Sequence, residues 1–278
     1  MFDTRTGLPR TLIETPRGGF CGCAVHVRLA REALPSAYLP HLVAPVREQR
    51  SVPAQAGGAS FPSRGDGSIA AGPIVTSPPI PDPTDRAALR RWLRSRRRAI
   101  QGPARRQAAQ LVARAVAASR WLKPGRCVGL YLSMPEELDT APLLQLALRR
   151  GCRIAVPRIT SVRHNRMCFF DLEGAVEKGA FGIAAPLGDR MRPARQMDVV
   201  FVPLVGFDPA GHRIGMGRGF YDRFFAHRGR MHHWRRPLLI GIAYDAQCVP
   251  LLPASSHDVP LDAIVTESTV LRFRRVGS

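Results

Sequence analysis

Three glycines at alternate positions, Gly215, Gly217 and Gly219, lie between Arg213 and Asp222, with Arg218 set among them. Glycine lets a chain turn tightly and brings backbone N–H groups close to an anion. The guanidinium groups of Arg213 and Arg218 donate in a fork that matches phosphate oxygens. Asp222 is the kind of carboxylate that holds a magnesium ion bridging phosphates. These residue types describe phosphate handling rather than covalent catalysis, and no nucleophilic Ser, Cys or Lys stands out. The spacing is not the dinucleotide fingerprint, nor a Walker loop, which ends in Gly-Lys-Ser/Thr. Taken alone, the run is equally compatible with a flexible turn.

Such a loop needs a rigid strand before it and a helix after it. Residues 198–205 form a near-continuous apolar run, the pattern of a strand buried on both faces. Residues 218–227 read as a helix, whose first N–H groups and positive dipole end would add to the phosphate site. Thr84 or Asp85 can cap a helix running through Arg98, with Leu89, Trp92, Leu93 and Ile100 as its apolar stripe and arginines over the remainder as a mostly solvated face. A second helix spans about 104–120 and a third 140–150. Strands are expected at 127–132, 153–156 (stopped at Pro157), 167–171, 238–243 and 262–265. Alternation of strands and helices predicts an α/β domain, a mainly parallel sheet with helices on both faces in a Rossmann-like three-layer arrangement.

Composition bounds the rest. The first 83 residues hold twelve of the 25 prolines and nine of the glycines. Such a segment cannot sustain helix or strand ladders. Residues 1–83 are therefore read as a disordered or loosely ordered extension, and 84–278 as the catalytic domain. A targeting peptide, a docking tail and an over-extended gene start remain open for the extension, although Asp3, Glu14, Glu32 and Glu48 argue against a transit peptide. The formal charge of +20 suits a polyanionic partner. Only Lys123 and Lys178 are lysines, however, a skew that looks compositional, and aromatics are not interleaved with the basic run from Arg90 to Arg106 as in nucleic-acid binders. No apolar run reaches the roughly 18 residues of a membrane span. The six cysteines form no Cys-x-x-Cys pair. Cys21 and Cys23 have no partner pair nearby for a metal, and His232-His233 reads as an exposed loop. A reducing, cytoplasmic setting and a monomer are expected.

The segment Gly211-x-Arg213-Ile214-Gly215-x-Gly217-x-Gly219-Phe220-Tyr221-Asp222-Arg223 resembles the signature of the 5-formyltetrahydrofolate cyclo-ligases, also called methenyltetrahydrofolate synthetases. The blocks from Tyr131 to Thr140, around Phe181-Gly182-Ile183 with Pro186, and from His257 to Glu267 are similar to other ordered blocks of that family, over residues ~84 to 270. The resemblance implies a set of roles. Arg86, in place of a family lysine, and Arg90 would touch ATP phosphate. Arg213, Ile214, Gly215, Met216, Gly217, Arg218, Gly219, Phe220 and Tyr221 would wrap the triphosphate. Glu137 would hydrogen-bond the pterin in a pocket lined by Leu132 and Tyr221, and Asp222 and Asp262 would hold Mg2+. Read without the family, Glu137 could be a solvated turn residue, Asp262 the start of a strand, and Tyr221 a core aromatic. Arg86 changes reach and donor geometry relative to lysine, Arg218 stands where many members have glycine, and Ala185 where a glutamate is common.

The implied reaction consumes ATP to turn 5-formyltetrahydrofolate into 5,10-methenyltetrahydrofolate. The rival reading is a non-enzymatic protein using the basic helix and tail to hold RNA or DNA. Because the resemblance begins only near residue 84, deleting residues 1–80 is expected to leave ATP-dependent turnover of 5-formyltetrahydrofolate intact. Loss of that turnover in the truncated chain would give the extension a role.

Overall fold

Asp85 starts the first helix: its carboxylate accepts hydrogen bonds from the N–H groups of Ala87 and Ala88, two of the donors that a helix N-terminus leaves free. The computed structural model describes residues 79–273, apart from 174, 231–235, 254, 256 and 257. The extension up to residue 78, with Cys21 and Cys23, and also His232, His233 and His257 lie outside the described residues. Helix α1 (Arg86–Ala99) is followed by α2 (Gly102–Ala118), strand β1 (Cys127–Gly129) and α3 (Ala141–Arg149). Then come β2 (Arg153–Ser161), β3 (Arg166–Asp171), a small ladder of β4 (Val176–Lys178) with β5 (Ala184–Pro186), and β6 (Met191–Arg192). Strand β7 (Val199–Pro203) runs into a short hairpin of β8 (Gly206–Phe207) and β9 (Arg213–Ile214). Helices α4 (Phe220–Phe225) and α5 (His227–Arg230) lead to β10 (Leu238–Ile242), β11 (Ala263–Val265) and β12 (Val270–Arg272).

The main sheet has eight strands in the order β12-β11-β10-β7-β1-β2-β3-β6. Pairing is parallel from β11 through β10, β7 and β1 to β2, and antiparallel at both margins. Side chains alternate across a strand, and β7 shows the consequence. Val199 and Phe201 join a core with α2 and α3, while Val200 and Val202 join a second core with Phe225 of α4. The sheet is thus covered on both faces, the three-layer arrangement expected from the sequence. A third apolar cluster sits beyond the end of β7, where Leu89, Trp92 and Leu93 of α1 pack on Val205, Ile214, Val249 and Leu252. Gly206 makes this contact possible, because a side chain there would run into Leu93. Among the described residues no helix is long and apolar enough to cross a membrane.

Two expected boundaries move, for physical reasons. Strand β2 continues through Pro157 to Ser161. Its last pair with β1 is Gly129↔Ala155, so from there it is paired on one side only, with β3, and an edge tolerates a residue lacking an N–H. The helix expected at 218–227 starts only at Phe220 and breaks after Phe225. Gly217 and Gly219 have φ of 99° and 65°, the left-handed region in which no helix propagates.

Asp208 at the turn of the β8–β9 hairpin is fully buried. Its carboxylate accepts from the N–H groups of Ala210 (3.0 Å), His212 (2.9 Å) and Leu252 (3.0 Å), and is 2.9 Å from Nδ1 of His212. This one side chain fixes the hairpin that launches the glycine loop and ties it to residue 252. Asp208→Ala removes the acceptor of three N–H groups, of which that of Leu252 is buried and costs about 1–3 kcal/mol when unpaired. The variant is expected to lose about 1–3 kcal/mol of unfolding free energy in urea denaturation; a midpoint equal to that of the parent chain would show the carboxylate is dispensable.

Candidate functional site

The glycine loop does not follow β7 directly, as the sequence suggests; the hairpin intervenes, and Arg213 stands on its second strand. Its guanidinium is nearly buried and pairs at 2.5 Å with Oδ1 of Asp222 in the first turn of α4. The loop from Gly215 to Gly219 is therefore anchored at both ends by one ion pair. The Nε–H of Arg90 donates to the carbonyl of Gly215 at 2.9 Å, and a side chain on Gly217 would meet the Arg90 guanidinium at 3.5 Å. Arg86, one helical turn earlier, donates to the carbonyl of Pro253 at 3.1 Å and pairs with Asp258 at 3.4 Å. Arg90 thus reaches the loop, whereas Arg86 meets the 253–258 segment.

A cleft of about 350 Å3 opens over the loop. Arg213, Gly215, Met216, Arg218, Gly219, Phe220, Tyr221 and Asp222 line it from one side, and Arg97, Met134, Glu137, Phe181 and Ile183 from the other. A narrower pocket of about 90 Å3, lined by Tyr131, Leu132, Glu137, Phe220, Tyr221 and mainly apolar neighbours, shares walls with it. Arg218 lies over the ring of Phe181, 4.5 Å from its centre, and donates to Asn165 at 3.4 Å. Ile214 faces away, into the cluster under α1, so only its backbone is available to a ligand.

Glu137 reaches the cleft with its side chain 12% exposed. Its Oε2 accepts from the N–H of Met134 at 3.0 Å, and Arg97 lies 3.8 Å from Oε1. Burial pushes its carboxyl above the usual carboxylate range, while the Met134 N–H and Arg97 pull it back. Arg97 is a cleft-lining residue that sequence reasoning missed. It is buried at 2% exposure, donates to Glu136 at 2.8 Å and lines the cleft. The signal was its position four residues after Leu93, on the apolar stripe. More generally, the arginine run is less of a solvated face than its composition suggests. Arg94, Arg97 and Arg98 all converge on Glu136, while Arg91 and Arg96 are exposed.

The two carboxylates expected to share magnesium have different partners in the structure. Asp262 accepts from Arg228 at 2.8 Å and from the N–H of Leu239 at 2.7 Å, so it ties α5 to the start of β10. Leu239 is level with Val200 on β7, three residues before Pro203 at the cleft, about 10 Å along a strand. Burial raises the Asp262 carboxyl, with Arg228 opposing, as suits a structural ion pair. Asp258, four residues earlier, pairs with Arg86, and the N–H of its neighbour Val259 donates to Oδ1 of Asp222 at 3.2 Å. No group of three or more His, Cys, Asp or Glu that could hold a metal occurs among the described residues. Magnesium needs no such cage, since it keeps waters and takes one or two carboxylates with substrate phosphates. Oδ2 of Asp222 and Oδ1 of Asp258 have no hydrogen bond among the described residues, so the donor set fits that mode.

Comparisons with known proteins converge on this arrangement. Residues 82–267 match the model of the 5-formyltetrahydrofolate cyclo-ligase family. The chain is 33% identical over 182 residues to 5-formyltetrahydrofolate cyclo-ligase of Escherichia coli, covering 64% of this chain and 98% of that protein. It is 27% identical over 190 residues to the mouse protein of that name, covering 65% and 93%. Its fold is similar to the solved structure of 5,10-methenyltetrahydrofolate synthetase from Aquifex aeolicus, with a TM-score of 0.59 and 28% identity, over 69% of this chain and 95% of that one. The corresponding enzyme from Mycoplasma pneumoniae superposes with a TM-score of 0.53 at 25% identity, over 66% and 99%. The ordered match, running through the glycine loop and both walls of the cleft, places the chain in the 5-formyltetrahydrofolate cyclo-ligase family.

Proposed function

We propose that this enzyme converts 5-formyltetrahydrofolate to 5,10-methenyltetrahydrofolate with ATP and Mg2+, releasing ADP and phosphate. The observation that carries the reading is a single cleft that brings Arg213, Arg218 and the glycine loop, with the Asp222 carboxylate among them, opposite the buried carboxylate of Glu137. Phosphate oxygens suit the arginine end and the N–H edge of a pterin the Glu137 end. The formyl oxygen is a poor leaving group. It attacks the terminal phosphorus of ATP, ADP departs, and the carbon now carries a phosphate. N10 of the folate attacks that carbon, the phosphate leaves with the C–O bond, and the N10 proton is lost. The product contains the new C–N bond of the ring.

The chain's own residues have little covalent chemistry to do. They align the two substrates and neutralise developing charge. Arg213 is held by Asp222 with its forked donors at the loop, and Arg218 needs only to leave Phe181 and Asn165 to meet a phosphate. Arg90 braces the loop from α1, and Arg86 the 253–258 segment. Asp222 and Asp258 would hold the magnesium ion, which supplies charge neutralisation to the phosphates. Ile214 takes part through its backbone alone, and Asp262 serves the fold. The apolar walls and Met216 exclude water, which protects the activated formyl carbon from hydrolysis. The nucleic-acid reading is disfavoured because Glu136, Asp258 and the Gly215 carbonyl engage most of the basic helix. The test of the whole reading is formation of methenyltetrahydrofolate, followed by its absorbance, with and without ATP.

Substitutions separate the two ends. Glu137→Gln keeps the shape but removes the charge, and should raise the folate KM about ten- to a hundred-fold with a smaller effect on ATP. Arg218→Ala should do the reverse, raising the ATP KM about ten-fold. Steady-state kinetics with each substrate varied in turn decides; equal effects on both constants in both variants would end the assignment of separate roles.

A magnesium titration examines the metal end. Asp222→Asn should shift the magnesium dependence to higher concentration and lower kcat far more than it weakens folate binding. Asp262→Asn should leave the magnesium midpoint unmoved, whatever it does to stability. A shifted midpoint in the second variant alone would reverse the roles given to the two carboxylates.

A further inference from the structure

Tyr131 follows β1 and is buried at 4% exposure. It lines the narrow pocket together with Glu137 and Tyr221. The neighbouring leucines, Leu130 and Leu132, belong to the core cluster with α2 and α3, whereas Tyr131 is not part of it. Its surface opens to the pocket, and its hydroxyl is not one of the buried polar atoms without a partner, so it keeps contact with that open space. The hydroxyl of Tyr131 makes no hydrogen bond to any described residue; the hydrogen bond from Thr140 goes to its backbone carbonyl. The contrast with Tyr244 is direct, since that hydroxyl donates to the carbonyl of Glu137. The other walls of the pocket are Leu132, Met134, Pro157, Ile159, Met167, Ile183, Pro203 and Phe220, and their side chains carry no donor. Burial, and next the Glu137 carboxylate, push the Tyr131 hydroxyl well above its ordinary range, so it stays protonated and available to donate.

We propose that Tyr131 is a further substrate-binding and specificity-determining residue, whose hydroxyl donates to the 4-oxo group of the pterin beside the N–H edge taken by Glu137. The proposal rests on the folate reading of the cleft. The chemistry is that of complementary edges. A 2-amino-4-oxopterin presents N–H donors flanked by one carbonyl acceptor. A carboxylate matches the donors, and the acceptor then needs an O–H or N–H in a pocket whose side-chain hydroxyls are those of Tyr131, on the β1 side with Glu137, and Tyr221 on α4. An unpaired carbonyl there would cost the desolvation of a polar group, so one well-placed hydroxyl favours a ligand with the 4-oxo group over one with only hydrogen at that position.

The experiment uses the whole chain and Tyr131→Phe, which keeps the ring and removes only the oxygen. The parent and the variant are compared for turnover of 5-formyltetrahydrofolate and for inhibition by two folate analogues, one with a 4-oxo group and one with hydrogen at that carbon. The variant is expected to show a folate KM raised about three- to ten-fold, an unchanged ATP KM, and a preference for the oxo over the 4-deoxy analogue reduced by a similar factor. A merely structural role would weaken both analogues alike and leave the preference unmoved; that result, or an unchanged folate KM, overturns the proposal. Should the variant fold poorly by thermal unfolding, Tyr131→Trp, which keeps an N–H donor in a larger ring, is read for the same preference ratio, and a ratio reduced as far as expected for Phe overturns the proposal. If the parent chain itself does not turn over 5-formyltetrahydrofolate, the folate reading falls and this inference with it. Turnover by the parent with an unaltered preference in the variant removes this inference alone.

Discussion

The ion pair between Arg213 and Asp222 is the constraint on which the cleft depends. Its guanidinium is 5% and its carboxylate 22% exposed. Two charges so far out of water must stay paired, because removing one leaves the other buried and uncompensated. The pair joins β9 to α4 across the five residues of the glycine loop, and Val259 adds a second bond to the same carboxylate oxygen. The loop is thereby a closed bracket with fixed ends, although Gly217 and Gly219 give its backbone conformations that other residues rarely adopt. A flexible turn, the bland reading of three alternating glycines, would have no such bracket.

Everything around the pair keeps it in place. Asp208 locks the hairpin that carries Arg213, and α1 packs three large apolar residues against Ile214 and its neighbours. The same helix sends Arg90 to the loop and Arg97 to the opposite wall. One element therefore sets the width of the cleft, since Arg90 and Arg97 are seven residues apart on nearly the same side, about two turns. Local side-chain charge and global packing agree here, which is the consistency expected of a sequence that specifies one structure.

Much of this was legible in the sequence because the signals are local. The apolar runs around 199–203 and 238–242, the Asp85 cap and the Gly-Arg-Gly spacing each report on neighbours within a few residues. What escaped depends on contacts between distant parts of the chain. Asp258 and Asp262 lie in one short segment and look equivalent as carboxylates. Only the long-range partners separate them: Arg228 and Leu239 claim Asp262, while Asp258 meets Arg86 of the first helix. The helix after the glycine loop was drawn too long for a related reason. Residues 218–227 have helical composition, but positive φ at Gly219 delays the start to Phe220. Arg97 was visible in principle, as a charge on an apolar stripe, yet its meaning required Glu136 and Glu137 some forty residues later.

On the proposed function, the arginines at the glycine loop and Glu137 at the opposite wall would make so basic a chain selective. Arginines at the glycine loop cannot accept a hydrogen bond, so they repel the N–H edge of a heterocycle and favour phosphate. Glu137 does the opposite, and its burial strengthens both its attraction for N–H donors and its repulsion of anions. A nucleotide and a pterin can each bind in the wrong end only by burying unpaired polar groups, which costs more than a lost contact. On the proposed function, the apolar walls between the ends make no such demand and would bring the formyl oxygen and the terminal phosphate together. Orientation of the two substrates would then follow from hydrogen-bond polarity along the cleft, the same polarity that phosphoryl transfer requires of a protein.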